Sequence, residues 1–168
     1  VGVGGHLTHG GYGYTSRAWG LALDHIVGME VVTAGGDLVY VSPTEHRDLF
    51  WAFRGAADSF GIVVRFRLKT VPAPRHTLRF CAEYPDIATD YACPGAVMSL
   101  QNFACQARFE KEISFGIHLG PGRFGISGVY LNRRDHESTC IPDLLDLPGK
   151  PDSLRVQGMG WIDLVQDL

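Results

Sequence analysis

The chain has 168 residues, of which 45% are hydrophobic and 20% are charged. This length suits one ordinary domain or parts of two, and a chain of this size buries roughly 70% of the surface that its unfolded form exposes. The 15 basic and 18 acidic residues give a net charge of −3, which argues against a phosphate-tracking nucleic-acid binder. No apolar run approaches the roughly 20 residues that cross a bilayer, so the sequence predicts no membrane span.

Glycine is the residue type that stands out. The chain has 21 glycines, against an average of about 7% in proteins, and seven of them lie in the first twenty residues. We expect residues 1–14 to form a loop, because glycine is favoured where the backbone takes positive φ or approaches a ligand closely. A chain that opens at Val1 inside such a stretch is also expected to be a fragment of a longer protein.

The next segment contains a helical turn and a hairpin. Residues 16–19 are predicted to form one helical turn that ends at Gly20. Residues 25–34 and 38–41 are rich in β-branched side chains and flank two consecutive glycines, a pattern typical of a β-hairpin.

A helix is predicted over residues 42–55. Ser42 and Glu45 match a capping box, Pro43 suits the first helical position, and Gly55 would end the helix. Four large side chains of this segment are expected in the core: Leu49, Phe50, Trp51 and Phe53.

Residues 60–69 alternate between apolar and basic side chains, which predicts a strand with one buried face. The face expected to be buried comprises Phe60, Ile62, Val64, Phe66 and Leu68. The face expected in solvent comprises Arg65, Arg67 and Lys69.

Two prolines in residues 71–74 interrupt this pattern, and we predict a domain boundary there because proline cannot donate to a β-ladder. Beyond it, the order β-α-β-β-α favours an antiparallel sheet with helices on one face. The predicted strands cover residues 77–84, 112–119, 125–132 and 154–156. The predicted helices cover residues 96–110, 138–147 and 161–168.

The four cysteines do not indicate a metal site. Cys81, Cys93, Cys105 and Cys140 contain no Cys-x-x-Cys pair, so a zinc site has no scaffold. His6 and His9 are spaced as H-x-x-H without a third ligand, so no metal is predicted. Three disulfide pairings remain open on spacing alone.

The glycine-rich stretch matches none of the common phosphate loops or the nucleophile elbow. Crowded backbone amides can still hold an anion such as a pyrophosphate, and the interleaved tyrosines and histidines could contact a planar ring. A glycine-rich turn that packs on nearby helices is the alternative.

Five blocks carry a family resemblance, in the same order and spacing as in that family. They are Gly2-Val3-Gly4-Gly5-His6, His9-Gly10-Gly11-Tyr12-Gly13, Gly20-Leu21-Ala22-Leu23-Asp24-His25-Ile26, Asp48-Leu49-Phe50-Trp51-Ala52-Phe53-Arg54-Gly55 and Ser59-Phe60-Gly61-Ile62-Val63. Residues 1–74 resemble the second half of the FAD-binding domain of vanillyl-alcohol-oxidase-type (PCMH-type) flavoproteins. Within them, the berberine-bridge-enzyme-like proteins, and especially the fungal glucooligosaccharide and chitooligosaccharide oxidases, are the most similar. Residues 75–168 resemble the start of the substrate domain more weakly.

The resemblance implies an α+β chain with FAD as its cofactor. Residues 1–74 would be the C-terminal part of a PCMH-type FAD-binding domain, and residues 75–168 the N-terminal part of an antiparallel-sheet substrate domain. The implied cofactor-binding residues are Gly2, Val3, Gly4, Gly5, His6, Gly10, Gly11, Tyr12, Gly13, Gly61, Ile62 and Val63. His118 is the candidate substrate contact, with an ordinary strand histidine as the alternative, and Asp24 is expected to make structural hydrogen bonds.

The resemblance also implies the chemistry. The expected activity is FAD-dependent oxidation of an alcohol group, first the anomeric hydroxyl of an oligosaccharide, with oxygen as acceptor and hydrogen peroxide as product. A secondary-metabolite oxidase acting on a phenolic or alkaloid-like alcohol and an inactive or non-catalytic fragment are the alternatives. The family's covalent FAD anchors would lie before Val1 and its catalytic base after Leu168, so no catalytic residue is assigned and the isolated fragment is expected to be inactive. We expect a secreted monomer, or an intracellular protein if it is a biosynthetic relative.

Overall fold

The computed structural model describes residues 2–87, 92–106, 110–133 and 141–168. The chain divides into two compact units, Val1–Pro72 and Ala73–Leu168, and the division falls within the proline-containing segment 71–74. Across the described ranges, no helix has the length and apolar character needed to cross a bilayer.

The first unit is built on a three-stranded antiparallel sheet of order β2-β1-β3. Its strands are β1 (Ile26–Thr33), β2 (Leu38–Val41) and β3 (Gly61–Leu68). Its helices are α1 (Val3–Thr8), α2 (Ser16–Trp19) and α3 (Arg47–Ala56), with 3₁₀ turns at Ala22–His25 and Ala57–Ser59. The core residues are Leu7, Ile26, Met29, Val31, Val41, Phe50, Phe53 and Ala57.

The predicted helical turn and hairpin are confirmed. The Gly20 amide donates to the Ser16 carbonyl at 2.9 Å, and Gly20 takes a φ of 85°, which glycine adopts without a steric cost. β1 and β2 pair antiparallel around the expected glycine turn.

The prediction that residues 1–14 form only loop is wrong, because α1 occupies Val3–Thr8. The Thr8 hydroxyl donates to the Gly4 carbonyl at 3.0 Å. Leu7 and Thr8 are buried, and Leu7 belongs to the core. Tertiary burial therefore overrides the low helix propensity of the glycines.

The predicted start of the 42–55 helix is also wrong. The Ser42 hydroxyl does accept a hydrogen bond from the Glu45 amide at 3.1 Å, but it does so in a turn. His46 then takes a left-handed φ of 49°, and α3 begins at Arg47. Gly55 does interrupt the helical dihedrals, as predicted.

The core residues predicted for α3 are confirmed for Phe50 and Phe53 and wrong for Trp51. Phe50 and Phe53 are 5% and 0% exposed, whereas Trp51 is 78% exposed. Leu49 is partly buried against the core.

The predicted buried face of β3 is largely exposed. Of its five apolar residues, Phe66 packs against the core, while Ile62, Val64 and the other two are at least 44% exposed. The cause is a register shift, since Glu30 pairs with Arg65 whereas Val31 pairs with Val63. Such a bulge reverses the alternation, and Val63 faces the core instead.

The second unit is a four-stranded antiparallel sheet of order β5-β6-β4-β7. Its strands are β4 (Thr77–Glu83), β5 (Ile113–Gly120), β6 (Arg123–Leu131) and β7 (Ser153–Met159). Its helices are α4 (Ala92–Ala104), α5 (Ile141–Asp146) and α6 (Trp161–Asp167), with a 3₁₀ turn at Pro85–Ile87. The α+β class and the antiparallel sheet are as predicted.

Two helices cover one face of this sheet. The side chains of α4 and α5 pack with those of the strands in one hydrophobic core, which includes Phe80, Leu100, Ile126 and Leu144. The side chain of Arg79 belongs to the other face, and it binds Asp167 at the end of α6. The prediction of helices on one face is therefore right for α4 and α5 and wrong for α6.

The remaining boundaries differ in detail. α4 begins at Ala92 rather than residue 96, because Pro94 lies in the first helical turn, where proline is tolerated. It ends at Ala104, short of the predicted residue 110. Residues 107–109 and 138–140 of the predicted helices lie outside the described residues, and β7 is longer than predicted.

Candidate cofactor site

The first half of the glycine-rich segment forms α1 with an open surface. Leu7 and Thr8 face the core, whereas Val3 is 69% exposed. A Cβ built on Gly2, Gly4 or Gly5 meets no heavy atom within 4 Å. These glycines therefore leave space that the fold itself does not fill.

The second half is a tight turn fixed to the 3₁₀ turn Ala22–His25. The Leu23 and Ala22 amides donate to the carbonyls of Gly10 and Gly11, both at 3.0 Å. Gly10 and Gly11 have φ values of 97° and 76°. A Cβ on Gly11 would lie 2.4 Å from the Ala22 Cβ, so the fold itself requires glycine there.

A cleft of about 400 Å³ lies beside this turn. His6, Gly11, Tyr12 and Gly13, all predicted cofactor-binding residues, line it. Tyr12 is 78% exposed, so most of its surface is accessible to a ligand. The structure thus brings four of the predicted residues to one place.

Gly61, Ile62 and Val63 begin β3 and do not line that cleft. A Cβ on Gly61 would lie 2.3 Å from the Val32 carbonyl oxygen, so close pairing with β1 requires glycine at this position. Ile62 is 69% exposed, and Val63 packs against the core. Their role towards a cofactor stays a prediction.

Asp24 makes the structural hydrogen bonds expected of it. Its carboxylate accepts from the Leu21 amide at 3.0 Å and from the Arg54 guanidinium at 3.1 Å. Arg54 also donates to the Leu23 carbonyl at 3.1 Å, and so ties the end of α3 to the turn beneath the cleft.

Sequence reasoning missed two residues at this site, Arg54 and Asp58. Asp58 lies 3.3 Å from the imidazole of His9, which follows α1. Neither partner could be found from spacing, because each pair joins residues that are distant in the chain.

In the second unit, His118 lies near the exposed end of β5. Its Nε2 is 2.5 Å from the Ser127 hydroxyl oxygen. A shallow cleft of about 280 Å³ beside it is also lined by Glu83 and Arg123, which approach each other to 3.8 Å. The surroundings are polar, and a substrate contact by His118 stays a prediction.

The described part of the chain holds no group of three His, Cys, Asp or Glu side chains arranged for a metal ion. Within the same ranges Cys81, Cys93 and Cys105 are free thiols, and Cys140 lies outside them.

No protein-family profile matches the chain. It is 37% identical over 170 residues to the FAD-linked oxidoreductase dpmaF of Metarhizium anisopliae, covering 99% of this chain and 31% of the relative. It is 50% identical over 171 residues to the glucooligosaccharide oxidase of Sarocladium strictum, covering 96% of this chain and 32% of the relative. The chain thus spans about a third of the length of these curated relatives.

A solved structure of an oligosaccharide oxidase has the same fold over the region that this chain covers. The xylooligosaccharide oxidase of Myceliophthora thermophila in complex with xylobiose matches with a TM-score of 0.87 at 35% identity. The match covers 99% of this chain and 35% of that chain. Over nearly its whole length the chain is therefore similar to part of the FAD-linked oligosaccharide oxidases and of a berberine-bridge-enzyme-like protein, the resemblance that its motifs indicate, and FAD is the cofactor of these relatives.

Proposed function

We propose that the first unit holds part of an FAD molecule, and that the protein carrying this chain oxidises an alcohol group. The preferred substrate is the anomeric hydroxyl of an oligosaccharide, with molecular oxygen as acceptor and hydrogen peroxide as product. FAD supplies the two-electron acceptor when it is bound, and the protein supplies binding and orientation.

The observation that carries this proposal is the space left open at five glycines. A Cβ on any of them meets no heavy atom within 4 Å: Gly2, Gly4, Gly5, Gly10 and Gly13. Backbone amides without side chains let an anionic group approach closely. The adjoining cleft of about 400 Å³ falls within the roughly 300–1,000 Å³ common for small-molecule sites.

The residues around this surface fit a flavin dinucleotide. Tyr12 offers an exposed aromatic ring for a planar group, and His6 offers ring nitrogens for hydrogen bonds at the same cleft. Gly4 and Gly5 lie on the open side of α1, and the absence of side chains there would leave room for the pyrophosphate. The site thus has both an aromatic and a polar part.

The relatives support a sugar substrate. One is named a glucooligosaccharide oxidase, and the solved neighbour is a xylooligosaccharide oxidase with xylobiose. In the second unit, His118 and Ser127 offer hydrogen-bonding groups of the kind that bind sugar hydroxyls. We assign His118 to the substrate side on this basis.

The test compares how much flavin a Gly4→Val variant binds. Bound flavin is measured by the flavin absorbance that co-elutes with the protein in gel filtration. Gly95→Val is the matched control, because Gly95 also lies in a helix, α4, with no heavy atom within 4 Å of a Cβ. We expect Gly4→Val to lose its flavin and Gly95→Val to keep it. Equal flavin content in both variants would contradict the proposed cradle.

The substrate is tested separately by peroxide release from the flavin-loaded longer protein that carries this chain, because the isolated chain is expected to be inactive. The panel contains oligosaccharides with a free anomeric hydroxyl, the same oligosaccharides with that hydroxyl methylated, and phenolic alcohols. We expect turnover with the first group alone. Turnover restricted to phenolic alcohols would overturn the sugar assignment and leave the flavin assignment standing.

A further inference from the structure

The second sheet has a polar outer face, the face opposite α4 and α5, where β4 meets the edge strand β7. Arg79 and Cys81 of β4 pair with Gln157 and Arg155 of β7, so the four side chains share this face. A cleft of about 550 Å³ lies there, and all four residues line it together with Ser153. We propose that this cleft binds the carboxylate of an acidic sugar, and that Arg155 is the residue that holds the carboxylate.

Two positive charges lie close together in this cleft. Because Arg155 pairs with Cys81, it lies diagonally across the two strands from Arg79. Diagonal neighbours on one face of an antiparallel pair are roughly 7–8 Å apart, which is within reach of long side chains. Two guanidinium groups at such positions repel each other, and negative charge beside them relieves the repulsion.

Arg79 already has a negative partner. Its Nη1 donates to the Asp167 carbonyl at 2.7 Å and also contacts the Asp167 carboxylate. Asp167 is the last residue of α6, and it lines the same cleft. This pair neutralises one of the two guanidinium charges and leaves the charge of Arg155.

The acidic residue of β4, Glu83, is directed away from Arg155. A Cβ built on Gly125 of β6 would lie 3.1 Å from Oε2 of Glu83, so the carboxylate occupies the space above that glycine. β6 and β7 flank β4 on opposite sides, and Glu83 approaches Arg123 of β6 to 3.8 Å. Among the described residues, no carboxylate lies within 4 Å of the Arg155 guanidinium. The cleft therefore keeps one unpaired positive charge.

The groups around Arg155 suit a carboxylate on a sugar ring. A guanidinium presents paired N–H donors that match the two oxygens of a carboxylate. One net positive charge matches a carboxylate better than a phosphate monoester, which carries close to two negative charges. Gln157 and Ser153 add an amide and a hydroxyl, which can exchange hydrogen bonds with sugar hydroxyls. A uronate ring, with one carboxylate and several hydroxyls, uses all three residues.

This inference rests on the proposed function, because it places the carboxylate on the substrate of the proposed oxidation. Ser127 of β6 pairs with Cys81 of β4, which in turn pairs with Arg155 of β7. The three residues form one row across the outer face, and Ser127 is the hydrogen-bonding partner of His118. Two strand spacings, roughly 10 Å, separate Ser127 from Arg155. The carboxylate would therefore belong to a different sugar ring from the one beside His118.

The first arm of the experiment measures sugar binding to this chain by NMR, without FAD. The ligands are a glucuronate-containing disaccharide with a free anomeric hydroxyl, its methyl ester and the corresponding neutral glucose disaccharide. Arg155→Gln removes the proposed carboxylate contact. Arg75→Gln is the matched control, because Arg75 is also an exposed arginine of the second unit but does not line the cleft.

We expect the wild type to bind the acidic disaccharide about three- to thirtyfold more tightly than the ester or the neutral disaccharide. This range lies between the effect of an exposed ion pair and that of a hydrogen bond to a charged group. Arg155→Gln should bind the acid only as tightly as the ester, and Arg75→Gln should match the wild type. The amide shifts that the acid causes should centre on β4 and β7.

The second arm measures peroxide release from the flavin-loaded longer protein that carries this chain, with the same three sugars. We expect the acid to have the lowest KM in the wild type. In Arg155→Gln the KM of the acid should rise about three- to thirtyfold relative to that of the neutral disaccharide, with no loss of kcat. A change in KM alone is expected because the contact lies away from the reacting hydroxyl.

Equal affinity of the chain for the acid and the ester, or unchanged affinity for the acid in Arg155→Gln, would overturn the carboxylate site. Binding of the acid without the expected KM change would overturn its role in substrate selection and leave an anion site. If the longer protein releases no peroxide with any sugar, the proposed function fails, while the binding arm still decides whether Arg155 holds a carboxylate.

Discussion

Replacing Gly11 by alanine should strongly destabilise the first unit, independently of any cofactor. Gly11 has a φ of 76°, a conformation that costs an ordinary residue roughly 1–2 kcal/mol. The added Cβ would lie 2.4 Å from the Ala22 Cβ and 2.9 Å from the His6 carbonyl oxygen. Such overpacking costs about 1–3 kcal/mol, so we expect a total loss of roughly 2–5 kcal/mol.

The matched control is Gly4→Ala. Gly4 lies within α1 and a Cβ there meets no heavy atom within 4 Å, so alanine should be neutral or stabilising by roughly 0.5–1 kcal/mol. Urea unfolding followed by tryptophan fluorescence measures both variants. A Trp161→Phe background restricts the signal to Trp19 and Trp51 of the first unit. A Gly11→Ala midpoint equal to that of the wild type would refute the geometric argument.

Two further predictions concern the second unit. Burial raises the pKa of Tyr84, and its hydroxyl donates a hydrogen bond to the Leu145 carbonyl at 2.7 Å. Because Tyr84→Phe removes this donor, it should lower the unfolding free energy by about 1–3 kcal/mol. The same variant should speed amide exchange in α5. The Tyr130 hydroxyl and the Arg133 guanidinium lower the pKa of Glu110. Because that pKa is depressed on folding, the associated stability is present at neutral pH and is lost as the pH falls through the folded value. Acid titration of the unfolding free energy should be shallower in Glu110→Gln, and an unchanged slope would contradict this assignment.

The elements predicted correctly are those whose signals are local. The Gly20 turn and the hairpin follow from residues adjacent in sequence, and β1 and β2 form as expected. The predicted start of α3 is wrong because the Ser42–Glu45 hydrogen bond has the geometry of a helix cap. The neighbouring sequence does not show that His46 takes a left-handed conformation, after which the helix begins at Arg47.

The features that sequence could not show depend on distant partners. α1 forms because Leu7 reaches the core, although the segment is rich in glycine. The face of β3 follows from its register with β1, where a bulge near Val64 turns the expected face to solvent. The contacts of Asp24 with Arg54 and of His9 with Asp58 cross long stretches of chain, so no motif predicts them.

The glycines of the candidate site are explained by two different structural reasons. The motif assigned Gly4 and Gly11 alike to the cofactor. The structure explains Gly11 by its own packing against Ala22 and leaves Gly4 without such a reason. Within the glycine-rich segment, variants of Gly4 therefore test ligand binding without disturbing packing, whereas variants of Gly11 also change the fold.

The most direct test of the account is hydrogen–deuterium exchange of this chain with and without FAD. We predict slower exchange on FAD addition in residues 2–13 and 61–63. We predict no change in α4 or in the hairpin formed by β5 and β6. Protection confined to the second unit, or no protection anywhere at flavin concentrations that saturate related oxidases, would contradict the assignment of the cofactor site to the glycine-rich first unit.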